Sequence, residues 1–174
     1  PKPPPGRKRG VRGDPEYVVN GTALTSDRYA ALTFLEGIHA AGGGDFEEAL
    51  ELAIKAAARQ SGWSRDAHKV VVLFGDAPPH PADVGEALDQ VRAFRSMGGV
   101  FHSVYTAKDV QESYLNKEDA ETVRVFQRLA KEGRGIMAFL QREEAVTARI
   151  LTLSIGQEFG GDVRKFRVVK RYPS

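Results

Sequence analysis

The fold is written most plainly in Val70-Val-Val-Leu-Phe-Gly-Asp-Ala-Pro-Pro-His80. Five apolar residues run into Gly75 and Asp76, and Pro78, Pro79 and Pro81 block any continuation. An apolar run of that length between turn signals predicts a strand buried on both faces, as in parallel sheets. It leaves one carboxylate, Asp76, at the strand's carboxyl end, the edge at which open α/β sheets hold their ligands.

Working outward, helix and strand patterns alternate. Upstream, Phe46, Ala49, Leu50, Ala53, Ile54 and Ala57 keep a helical apolar spacing, with Asp45 and Glu48 at the separation of a capping box. An earlier helix is expected from about Ser26, as N-cap, to Ala41, with Ala31, Phe34, Leu35 and Ile38 on one stripe. Gly42-Gly-Gly44 breaks it, and Tyr17-Val-Val19 before it reads as a short strand. Downstream, Val84, Ala87, Leu88, Val91 and Phe94 mark a helix that Gly98-Gly99 ends. Val100 to Thr106 reads as a strand, Val123, Phe126 and Ala130 as a helix ending at Gly133, and Ile136 to Leu140 as a strand. A last helix is expected from Glu143 to about Ile155. Such alternation implies right-handed βαβ units, hence an α/β three-layer fold with a mostly parallel sheet and helices on both faces.

The 174 residues suffice for one substantial core, and 41% hydrophobic with 28% charged residues is ordinary for a soluble globular protein. No apolar stretch reaches membrane-spanning length and no signal peptide opens the chain, which begins at Pro1 like a processed or trimmed product. Zero cysteines excludes disulfides, thiolate metal sites and cysteine nucleophiles. These features lean towards a soluble, cytoplasmic protein without fixing a compartment. A net charge of +2 gives no argument for nucleic acid, although Arg7-Lys-Arg9 and the run Arg164, Lys165, Arg167, Lys170, Arg171 gather positive charge at the two ends.

The chemistry on offer is sparse. Asp76 reads either as a ligand for a hard divalent cation or as a turn residue bonding its own backbone. Asp45 reads as a helix cap that could also turn one oxygen towards an ion. Arg12-Gly-Asp14 matches an adhesion tripeptide, but its composition is that of a plain turn. His80 lies among prolines, and His39, His68, His80 and His102 show no metal-pair spacing. No nucleophile elbow and no glycine-rich strand-to-helix phosphate turn occurs.

At Gly42-Gly-Gly-Asp-Phe-Glu-Glu-Ala-Leu50, followed by Val70 to His80, the chain resembles a von Willebrand factor type A (vWA) domain of the bacterial and kinase-associated subgroup. The likeness runs from about Gly13 to Ile155. It implies a Rossmann-like sandwich whose metal-ion-dependent adhesion site is built from three loops, with Asp45 and Asp76 as the metal ligands available here. It also implies a non-enzymatic role, in which a protein partner completes the ion's shell with a carboxylate. The domains expected are a basic proline-rich segment 1–12, a vWA-like domain 13–158 and a basic tail 159–174.

One departure stands out. The family's Asp-x-Ser-x-Ser loop is absent from the 174 residues, and its first strand and helix have no counterpart. Two carboxylates leave most of a Mg²⁺ shell to water, so any divalent cation is expected to bind weakly. A longer native polypeptide, a further chain segment completing the sheet, or loss of the ion site would each account for the gap. Two rival readings remain: a metal-independent scaffold using its basic tails, and a nucleotide-binding Rossmann-like enzyme.

Overall fold

Strand and helix alternate as the apolar spacings require. The computed structural model describes residues 19–38, 47–60, 62–107 and 115–140. Along them run α1 (Arg28–Glu36), α2 (Leu50–Ala58), β1 (Lys69–Gly75), α3 (Val84–Ser96), β2 (Gly99–Tyr105), α4 (Lys117–Glu132) and β3 (Arg134–Phe139). The three strands form one parallel sheet in the order β1-β2-β3. Both crossovers step the same way across it, so right-handed connections put α3 and α4 on one face. This is the α/β architecture expected of a Rossmann-like sandwich.

Burial separates the strands. Phe101, Ser103 and Tyr105 on one face of β2, and His102 and Val104 on the other, are all buried. In β1, Val70 to Leu73 are half-buried and Phe74 is 43% exposed. Two-sided burial, expected of Val70–Phe74, therefore belongs to β2. The reason is position: β1 has a single neighbour among the described strands, whereas β2 has two.

On the helix side, Val71 and Leu73 pack with Phe101 against Ile54, Ala87, Leu88, Val91 and Leu129. A second cluster joins Tyr105, Val123 and Phe126 to Met137 and Phe139. Of the expected stripe of α3, Ala87, Leu88, Val91 and Phe94 are at most 2% exposed and Val84 is half-buried. Arg92 ties α3 to α4 through a two-point contact, Nη2 to Glu132 Oε1 at 3.1 Å and Nε to Oε2 at 3.2 Å. The Arg92 hydrogen bond holds the Glu132 carboxyl below the usual carboxylate range.

Three local expectations change. The cap of α1 is Asp27, whose carboxylate accepts from the Tyr29 and Ala30 N–H groups at 2.9 and 3.3 Å, in place of Ser26. A carboxylate one residue further on meets those donors directly. None of the expected stripe of α1 is buried, and Leu35 is 61% exposed. The cap position of α2 is Ala49, not Asp45, because Glu48 is drawn into a β-bridge with Pro79 before the helix begins. The strand at Tyr17 and the last helix from Glu143 lie outside the described residues; Val19 has no regular structure.

The β2–β3 seam carries a register shift between Phe101 and Ser103. There the Ile136 N–H donates to His102 Nδ1 at 3.0 Å, so a buried imidazole accepts from the amide that the bulge takes out of the ladder. His102→Leu keeps the bulk and removes the acceptor. It is expected to cost about 1–3 kcal/mol, the penalty for a buried orphan donor, read as a lower urea midpoint at unchanged slope.

Candidate functional site

The site is the carboxyl edge of the sheet, where the chain leaves each strand for a helix. β1 ends at Gly75, whose carbonyl accepts from the Thr106 N–H at 2.9 Å and so ties the ends of β1 and β2 together. Asp76 follows and is exposed. The chain then turns inward: Ala77, Pro78 and Pro79 are buried, so the prolines that stop the strand also pin the loop.

That loop is stitched to the segment preceding α2. The Glu48 N–H donates to the Pro78 carbonyl at 2.9 Å, and Glu48 and Pro79 form a parallel bridge. Glu48 is three residues after Asp45, and Pro78 two after Asp76. Two stretches far apart in sequence thus meet at one rim. Asp45 itself, Gly42-Gly-Gly44 and Arg12-Gly-Asp14 lie outside the described residues.

At the end of β2, Tyr105 is 1% exposed and edge-on to both Phe126 and Phe139. Its hydroxyl donates a short hydrogen bond to Asp119 Oδ1 in the first turn of α4. Asp119 is held from behind, its N–H donating to Asn116 Oδ1, the helix cap, at 2.8 Å. Burial pushes the Tyr105 hydroxyl well above the usual phenol range; the Asp119 bond and charge add to this, and the Asp76 charge contributes further. Tyr105 is thus a hydrogen-bond donor at this edge, with Asp119 as its acceptor.

Sequence reasoning missed Tyr105 and Asp119. Asp119 sits three residues after Asn116, the spacing of a cap and its partner, and that was its one available signal. Tyr105 looked like any aromatic strand residue. His80 is half-buried; its carbonyl accepts from the Asp83 N–H at 2.8 Å, which closes the proline turn. Among the described residues no group of three or more His, Cys, Asp or Glu side chains has metal-binding geometry. No described helix is long and apolar enough to cross a membrane.

The fold and its edge define a class, a parallel α/β domain with a carboxylate, Asp76, where β1 ends. No family model matches the chain, and no curated protein matches it. Solved structures do. A conserved hypothetical protein BatB from Bacteroides thetaiotaomicron aligns at 17% identity and TM-score 0.54, over 82% of this chain and 72% of its own. An aerotolerance-related membrane protein from Bacteroides fragilis, carrying multiple mutations to serine, aligns at 20% identity and TM-score 0.54, over 82% and 71%. Likeness at this level of identity establishes a shared fold.

Proposed function

We propose that the chain is a non-enzymatic protein-interaction module of the vWA kind, working at the carboxyl edge of its sheet. Asp45 and Asp76 are its partial metal ligands, and a partner's carboxylate completes the shell of a weakly held Mg²⁺ or similar ion. The observation that supports this reading is the Glu48–Pro78 hydrogen bond, since Glu48 follows Asp45 by three residues and Pro78 follows Asp76 by two. The cap position of α2 falls on Ala49, which is compatible with another role for Asp45. A weak ion is the consequence of so few protein oxygens. In this reading a further segment, from this polypeptide or another chain, adds to β1, which has one neighbour among the described strands and whose exposed Phe74 suits an added strand.

Calorimetric titration with Mg²⁺ or Mn²⁺ tests the metal. The wild type should give a weak saturable heat that Asp76→Ala abolishes. Equal heats from the two proteins would remove the ion from the account.

A further inference from the structure

We infer that the cleft between the amino-terminal halves of α3 and α4 docks an extended basic segment of a partner protein, with an aliphatic side chain on its floor and lysine or arginine at its rim. The cleft has a volume of about 390 Å³, inside the range of roughly 300–1,000 Å³ common for binding clefts. Its apolar surface comes from buried Pro79 and from half-buried Val84 and Val125, which also pack on the main core cluster. A floor backed by the core and by a proline turn is already rigid, so little ordering cost falls on binding.

Charge selects the occupant. Glu47, Glu118 and Glu121 line the cleft together with Lys117, three acidic residues to one basic. The whole chain carries +2, which makes this an acidic concavity on a basic protein. Like-charged acidic segments are repelled from it, and a purely apolar one would leave its carboxylates without partners. An alternating basic and aliphatic strand meets both demands. The inference rests on the interaction-module reading but not on its metal: the cleft's carboxylates are Glu47, Glu118 and Glu121, whereas the ion is assigned to Asp45 and Asp76.

The test is an amide NMR titration of the full chain at low salt, with chelator present, using the heptapeptide acetyl-Ser-Lys-Leu-Arg-Leu-Lys-Ser amide. The expected result is saturable shifts at Val84, Glu118 and Glu121, weakened by added salt. Glu118→Gln combined with Glu121→Gln should weaken binding about tenfold, two surface charge pairs being lost. Asp89→Asn, whose exposed carboxylate pairs with Arg92 and is not part of the cleft lining, should bind as wild type does. Several results would overturn the proposal: no shifts, shifts outside the cleft, equal binding by the double variant, or equal binding of a peptide with Glu in place of Lys and Arg. Because chelator is present throughout, failure here leaves the ion titration untouched, and failure of the ion titration leaves this result standing.

Discussion

Gly135→Ala is expected to be the most damaging single-methyl change in the described fold. A Cβ at that position would lie 2.0 Å from the Phe101 carbonyl oxygen, 2.7 Å from its carbon and 2.9 Å from His102 Nδ1. Two of those three atoms are backbone, so no side-chain rotation relieves the clash. β3 must move off β2 at its bulge, and the Ile136–His102 hydrogen bond breaks with it. Overpacking costs about 1–3 kcal/mol, and the buried amide left behind about 1–3 kcal/mol more. A loss of that size is a large share of a total stability of about 5–15 kcal/mol. The expected fall in Tm is about 10 °C by circular dichroism. A Tm close to that of wild type would mean the seam is looser than described.

Phe126→Ala comes next, and it connects stability to the site. The ring is fully buried in α4, sits 3.2 Å from where a Cβ on Gly75 would stand, and meets the Tyr105 ring at 6.3 Å and 87°. Its carbonyl also accepts from Ser103 Oγ at 2.9 Å, so the same turn of α4 is fastened to β2 twice. Removing the ring leaves a cavity beneath the ends of β1 and β2 and should cost about 3–5 kcal/mol. Phe126→Leu fills much of the space and should cost roughly 1–1.5 kcal/mol. Urea unfolding of both variants checks the difference; equal losses would show that the cavity, and hence the packing under Gly75 and Tyr105, is not what holds this edge.

The parts of the fold legible in the sequence are those in which local pattern and tertiary environment agree. Val84, Ala87, Leu88, Val91 and Phe94 repeat at helical spacing because one face of α3 meets one core. The stop at Gly75-Asp76 was legible because prolines leave no alternative. What failed depended on neighbours. Val70–Phe74 is wholly apolar and Val100–Tyr105 holds His102 and Ser103, yet it is the second that has two neighbours among the described strands; pattern alone does not tell the two positions apart. Asp45 and Glu48 had the spacing of a capping box, but the bridge from Glu48 to Pro79 moved the start of α2 to Leu50. In the candidate site, the position of Asp76 is legible from the end of one strand, whereas Tyr105 and Asp119 meet only once α4 has packed against β2.

The proposed ion site requires the segments of Asp45 and Asp76 to converge at one rim. Paramagnetic broadening by substoichiometric Mn²⁺, read on backbone amides, tests that most directly. The prediction is that Gly75 and Ala77 on one segment and Glu47 and Glu48 on the other broaden together, and that Asp76→Ala abolishes the effect at both. Broadening at a single segment, or unchanged broadening in Asp76→Ala, would contradict it.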